Sequence, residues 1–411
     1  MVPEGWVNTT FGAHIDCLTG FAFKSSGYSE NAKDVRLLRG DNIEPGSLRW
    51  NGAKFWPSSD LDSFERYLLL DGDFVIAMDR TWITAGLKVA EIKKSDLPCL
   101  LVQRVARVRA KGSLEQSLLR QYFSGNRFEQ YVKSVQTATA VPHISPNDIK
   151  AFPVTLPPLP EQRKIAQILS TWDKAITTTE QLLANSQQQK KALMQQLLTG
   201  KKRLLDENGV RFSREWESKP LSQLGEVVGG LTYAPRDITD ETGTLVLRSS
   251  NIKNGQLAFD DNVYVSCKVP ERSVTRENDI LLCVRNGSRN LIGKSALLKG
   301  QAVGCFHGAF MSIFRAKEPL FIFQLFQSSL FYREVRKNLG ATINSINGSD
   351  LKNFTFKLPV DEVEREKIAY VLATADQDIS TLQQKLDALK QEKKALMQQL
   401  LMGKRRVNVN A

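Results

Sequence analysis

The chain has 411 residues, 42% of them hydrophobic, enough for the cores of two or three domains, since single cores seldom grow past about 250 residues. This excludes a peptide-like or disordered protein. Fifty-six Lys and Arg against 44 Asp and Glu give a formal charge of +12, which favours a polyanionic partner or an anionic surface.

The first residues, MVPEGWVNTT, lack the basic start and apolar stretch of a signal peptide, and no apolar run approaches the ~20 residues needed to cross a bilayer. Cys17, Cys99, Cys267, Cys283 and Cys305 are odd in number, scattered and without a CxxC pair. Neither a disulfide framework nor a zinc cluster is indicated, and a cytoplasmic location is expected.

The first globular part, residues 1–155, carries strand-like runs at 66–70 (RYLLL), at 73–78 (DFVIAM, after the Asp71-Gly72 turn) and at 100–108 (LLVQRVARV). A helical stretch follows at 117–133. From 205 to 357 the pattern recurs: strand-like runs at 244–250 (TLVLRSS), 279–284 (DILLCV) and 310–314 (FMSIF), then a helical stretch at 319–339. Two copies of one mixed α and β domain are expected.

Between and after them lie two segments without Gly or Pro, Glu161 to Thr199 and Asp361 to Met402. Pro157, Pro158 and Pro160 precede the first, and Gly200 and Gly403 stop the two copies, as helix ends require. About 39 residues at ~1.5 Å each make a rod of about 58 Å. In the second, Ile368, Leu372, Ala375, Ile379, Leu382, Leu386, Leu389, Lys393, Leu396 and Leu400 alternate four and three apart, the spacing of a coiled-coil seam. The first repeats that register through Ile165, Leu169, Trp172, Ile176, Thr179, Leu183, Ser186, Lys190, Leu193 and Leu197. Two separate amphipathic helices are the alternative, but matched seams in one chain favour pairing, and antiparallel pairing places one globular part at each end. The division is 1–155, 156–204, 205–357 and 358–411.

The nine residues KKALMQQLL occur at 190–198 and again at 393–401. Nine residues cover every face of a helix, more than a seam requires. Lys191, Met194, Gln195, Lys394, Met397 and Gln398 are therefore candidates for a surface presented twice to the same kind of partner. Equivalent intramolecular packing of the two copies is the other explanation.

The globular parts share a frame but diverge in loops, as two readers of two targets would. Arg suits guanine edges and Asn adenine edges, while phosphates need only positive charge or amide donors. The candidates are Arg80, Trp82 and Lys88 with Arg285, Asn286, Arg289, Asn290 and Lys294, joined by Thr139, His143, Thr342 and Asn344 from a second variable stretch. Catalytic machinery is not evident: there is no [DNS]-P-P-[YFW] segment, no HExxH, and His14, His143 and His307 are the only histidines. GSRNLIGKS (287–295) approaches a phosphate-binding loop but has five residues between its glycines where four are required. No metal site is expected.

LPPLPEQRKIAQIL (156–169), the long helix ending LLTGKKRL, and the second copy KLPVDEVEREKIAYVL with LLMGKRRV resemble the specificity subunit of type I restriction and modification enzymes. The resemblance covers essentially the whole chain. It implies an α+β architecture of two target-recognition domains joined by two long helices in an antiparallel coiled coil, related by a pseudo-two-fold repeat. Each domain would read one half of a bipartite, asymmetric site in double-stranded DNA, and the chain itself would be non-catalytic. The implied partners are two modification subunits, which use S-adenosylmethionine to methylate adenine, and restriction subunits that use ATP and Mg. The second copy departs at Val360 to Arg365, where the proline-rich lead-in and Glu-Gln are missing. A repeat-built scaffold that binds no DNA, and a spare copy without partners, are the competing readings.

Overall fold

The computed structural model describes residues 2–267, 270–339 and 344–409; Thr342 lies outside them. The chain forms two compact units, Met1–Thr179 with Lys385–Ala411, and Glu180–Gln384. Each unit thus takes half of each long helix, unlike the four-segment division expected from sequence.

In the first unit a four-stranded antiparallel sheet has the order Val89–Glu91, Phe74–Ala77, Val105–Ala110, Ile15–Thr19. A three-stranded sheet sets Cys99–Leu101 parallel to Val35–Leu38, which pairs antiparallel with Lys54–Trp56. In the second unit the order Ser295–Leu297, Ile280–Cys283, Met311–Ala316, Gly225–Gly229 repeats the first sheet. There Phe306–His307 runs parallel to Thr244–Leu247, as Cys99–Leu101 does to its neighbour. Phe74–Ala77 and Ile280–Cys283 are buried throughout, which is why both read as unbroken apolar runs.

Two sequence expectations fail here. RYLLL is not a strand: Ser58–Tyr67 is a 3-10 stretch and Leu68 makes a single bridge, to Leu100. The amides of Leu68 and Leu70 are claimed by the Glu65 carbonyl and the Asp73 carboxylate, so only the Leu69 amide reaches the neighbouring strand, at the Cys99 carbonyl. LLVQRVARV divides between two sheets, broken at Gln103–Arg104, where Arg104 has a φ of 68°. Each expected helical stretch is likewise two helices, Gln116–Phe123 and Asn126–Val135 in one unit, Pro319–Phe326 and Ser329–Asn338 in the other. Aromatic rings join them to the strands, Phe123 against Phe74 at 5.4 Å and Phe326 edge-on to Phe314 at 5.3 Å.

The long helices run Leu159–Leu197 and Glu362–Leu401. All twenty expected seam positions are buried or half-buried. Within each unit the two helix halves are antiparallel. In the first, Arg406 reaches Glu161 and Lys393 reaches Asp173; in the second, Arg203 reaches Glu364 and Lys190 reaches Asp376. The seam lysines are therefore paired. Lys393 Nζ lies 2.7 Å from Asp173, whose other oxygen accepts from Gln121, and Lys190 lies 2.5 Å from Asp376, whose other oxygen accepts from Gln324.

The helix ends are locked the same way in both units. Gly200 and Gly403 have φ of 71° and 67°, the left-handed cap that turns the chain off the helix. Beyond them, Arg203 donates two bonds to Glu364 (2.5 and 2.7 Å) and Arg406 two to Glu161 (2.8 and 2.9 Å). Both carboxylates are buried, and Trp216 and Trp6 lie over the respective guanidinium groups at 5.6 and 5.9 Å. The copies differ in one atom pair. Trp6 Nε1 donates to Glu161 at 3.1 Å, whereas Trp216 Nε1 is buried and meets no acceptor among the described residues. Trp6→Phe should therefore cost about 1.5–3 kcal/mol, the worth of a hydrogen bond to a charged group, and Trp216→Phe clearly less. Chemical denaturation of the two variants, followed by hydrogen exchange in each unit, measures the difference.

Candidate nucleic-acid interface

In the first unit the strand Phe74–Ala77 delivers Met78, Asp79 and Arg80 to the rim of the sheet. Arg80 has a φ of 49°, and its amide donates to the Pro142 carbonyl at 2.7 Å. The second variable stretch is thereby held beside the first. His143 Nδ1 lies 2.6 Å from Asp79, and the Thr139 hydroxyl donates to the Val141 carbonyl within its own loop. A short hairpin, Trp82–Ile83 with Gly86–Leu87, returns the chain to Lys88, whose carbonyl accepts from Ala77. Trp82 leans on the helix Asn126–Val135: its Nε1 donates to Glu129 at 3.1 Å and Lys133 sits 4.1 Å over its ring. Its polar edge is already used.

The second unit makes the same junction with different side chains. Arg285 bridges to Ser345, and the Asn286 amide donates to the Asn344 carbonyl. The side chains add to it, Asn286 Nδ2 reaching Ser249 and Asn344 Nδ2 the Gly287 carbonyl. Arg289 turns to the Leu339 carbonyl at the end of a helix, and Asn290 is exposed. Lys294 Nζ donates to the Ser249 carbonyl at 3.1 Å. The chain after Lys294 enters the strand Ser295–Leu297, not the helix that a phosphate-binding loop opens, so that resemblance ends there.

Lys88 and Lys294 occupy one structural position, each carbonyl accepting from the last residue of the equivalent strand, Ala77 or Cys283. Burial holds both ammonium groups below their ordinary value, aided by Arg80 and Arg49 around Lys88 and by Lys253 near Lys294. Asp41 and Asp79 pull Lys88 the other way. Sites rich in half-buried cations at a sheet rim suit a polyanion.

Two features escape a reading of the loops alone. Asn42 and Asn251 are buried latches: each side chain accepts from the backbone of Arg39 or Arg248 and donates to the carbonyl of Arg49 or Ala258. Their signal is in the paired stretches LLRGDNIEPGSL and VLRSSNIKNGQL. They fix loops that carry Arg39, Arg49 and Arg248 next to the candidate residues. The other feature is Arg104 and Phe310, which sit at equivalent turns and lie in runs that read as strands.

Nucleophilic chemistry finds little support. Burial pushes Cys99 up to about 12 and Cys17 up to about 11, so both thiols are neutral. Among the described residues no group of three or more His, Cys, Asp or Glu could hold a metal ion, and no described helix is long and apolar enough to cross a membrane.

The partner-surface candidates line two equivalent grooves. One, of about 540 Å³, is lined by Lys394, Met397 and Gln398 with Gly125 and Asn126 at a helix start; the other, of about 460 Å³, by Lys191, Met194 and Gln195 with Ser328 and Ser329. The lysines and glutamines are exposed, whereas Met397 is buried and Met194 half-buried against the cores. Leu198 and Leu401 also pack inward. Intramolecular packing thus accounts for more of the repeated nonapeptide than its seam positions.

The family model for the type I restriction modification DNA specificity domain matches twice, over residues 36–185 and 213–391. An Escherichia coli protein, the type I restriction enzyme EcoAI specificity subunit, is 37% identical over 44% of this chain and 30% of its own length. The MjaVIII specificity subunit of Methanocaldococcus jannaschii is 29% identical over 50% and 48%. The chain therefore spans less than half the length of these two relatives; the EcoBI specificity subunit of Escherichia coli matches over 91% of this chain and 81% of its own, at 22% identity. A crystal structure of the S subunit of a type I restriction-modification system from M. genitalium superposes with a TM-score of 0.62 at 12% identity, covering 97% of this chain and 96% of that one. With the specificity-domain model covering both halves of a duplicated frame, the chain belongs to the family of type I restriction-modification DNA specificity subunits.

Proposed function

We propose that this chain is the sequence-reading, non-catalytic subunit of a cytoplasmic type I restriction-modification complex. Each unit reads one half of a bipartite, asymmetric site in double-stranded DNA, and the paired long helices act as the ruler that sets the unread spacer. The observation that carries this reading is the duplicated junction at the sheet rim, where Asp79–Arg80 meets 142–143 in one unit and Arg285–Asn286 meets 344–345 in the other. The backbone is the same and the side chains differ, which suits two different half-sites. Arg80, Arg285, Asn286 and Asn344 are assigned to base edges, with Trp82, Thr139, His143, Arg289 and Asn290 as neighbouring contacts and Lys88 and Lys294 to phosphate.

Adenine methylation and cleavage belong to partners: two modification subunits that bind S-adenosylmethionine, and restriction subunits that use ATP and Mg. This chain holds no cofactor of its own. The two grooves lined by Lys191, Met194 and Gln195 and by Lys394, Met397 and Gln398 are the proposed modification-subunit surfaces, one per copy, with the methionines as adaptable floors.

Inserting four residues at matching positions of both long helices adds about 6 Å. Methylation sequencing of a host carrying the modification subunit should then show a spacer longer by about one or two base pairs, at 3.4 Å each, with both half-sites kept; an unchanged spacer refutes the ruler. Reversing charge at Lys191 and Lys394 together, with Gln195 and Gln398 changed to Glu, should abolish copurification of the modification subunit while circular dichroism stays that of the parent. Normal copurification would remove the partner assignment.

A further inference from the structure

Arg104 and Phe310 occupy the same place in the two units. The Met78 amide donates to the Arg104 carbonyl at 2.9 Å, and the Val284 amide to the Phe310 carbonyl at 3.0 Å. On the far side Ile144 donates to Met78 and Ile346 to Val284. Three chain segments therefore converge through the same two hydrogen bonds at each rim. Along them the side chains are Asp79, His143 and Arg104 in one unit, and Arg285, Ser345 and Phe310 in the other. The frame is constant and all three positions change chemical class.

Neither residue serves the core. The Arg104 side chain is 63% exposed and Phe310 is 55% exposed, and neither belongs to a buried cluster among the described residues. Arg104 sits at a φ of 68°, a conformation that glycine or asparagine would adopt more easily and that a side chain bearing a Cβ resists. An arginine there is kept for its side chain. Its Nε faces Asp79 at 3.8 Å, and His143 holds the other carboxylate oxygen. The carboxylate faces the Nε edge, and among the described residues the terminal nitrogens, the fork that fits guanine O6 and N7, make no hydrogen bond. Phe310 offers a ring with the Arg285 guanidinium 5.8 Å from its centroid. An exposed ring beside an arginine, at a rim otherwise polar, matches the methyl group of thymine next to a guanine.

We infer that Arg104 and Phe310 are equivalent specificity-determining positions, Arg104 reading a guanine edge in one half-site and Phe310 a thymine methyl in the other. This rests on the DNA-reading function proposed above.

The test uses the full-length chain with its modification subunit and methylation sequencing of the host genome, for the parent, R104A, R104K, F310A and F310L. F310A should relax one base pair of one half-site, with roughly 10- to 100-fold lost discrimination, and F310L should retain it. R104A should relax one base pair of the other half-site, and R104K should not restore it, because a lysine lacks the fork. In binding assays, uracil in place of that thymine should weaken the parent and leave F310A unaffected. Motifs unchanged in R104A and F310A overturn the inference while the DNA-reading function stands. So does methylation lowered alike at every site, which marks a phosphate contact or a folding defect. A parent that yields no methylated motif overturns the function and the inference together.

Discussion

Two buried carboxylates hold the constant frame in place. Glu161 and Glu364 open the long helices with almost no solvent contact, and an unpaired buried carboxylate is strongly destabilising, by about 3–5 kcal/mol when its partner is removed. Each is satisfied by an arginine that lies past the glycine stop of the other helix, Arg406 or Arg203. The chain can meet this demand only if, in each unit, one helix start lies against the other helix's end. Antiparallel pairing follows from the charges as much as from the apolar seam. Arg406 also donates to the Glu4 carbonyl, so the first residues of the chain are tied into the same cluster.

The seam lysines add register. Lys190 and Lys393 would weaken an apolar seam, yet a polar residue at such a position fixes alignment when it finds a partner. Each partner is an aspartate on the facing helix, and each aspartate is shared with a buried glutamine, Gln121 or Gln324, from a globular helix. A slip of one turn along the seam would break the ion pair and strand the glutamine. The position of each globular part on its helix pair is therefore coupled to helix register.

The sequence made the helices legible because length, the missing Gly and Pro, and a four-three apolar spacing are all local. The stops at Gly200 and Gly403 were equally visible, since only the left-handed cap explains glycine there. The globular parts were harder. RYLLL looks like a strand, but the amides of Leu68 and Leu70 go to Glu65 and Asp73, a competition that residue type does not reveal. In LLVQRVARV the division falls at Gln103–Arg104 without any Gly or Pro, because the left-handed turn is made by an arginine. The loop candidates came from comparing the two copies, and the convergence of residues 79–80 with 142–143 is a long-range pairing that no local pattern announces. Trp82 lies among the variable-loop candidates, yet its indole N–H is committed to Glu129.

The arrangement also bears on how such a rim can change without unfolding. The hydrogen bonds that the two junctions share are backbone to backbone: Arg80 with Pro142, Met78 with Arg104, Ile144 with Met78, and the same set in the other unit. The fixed side chains, Asn42 and Asn251, lie beneath the loops and do the same work in both copies. The stability of the rim therefore depends little on which side chains project from it. A surface substitution away from caps and buried groups usually moves stability by no more than about 0.5 kcal/mol, whereas a base contact is worth about 1–3 kcal/mol of discrimination. Side chains at such a rim can change at little cost to folding, and the buried clamps, which tolerate no such exchange, keep the frame the same in both copies.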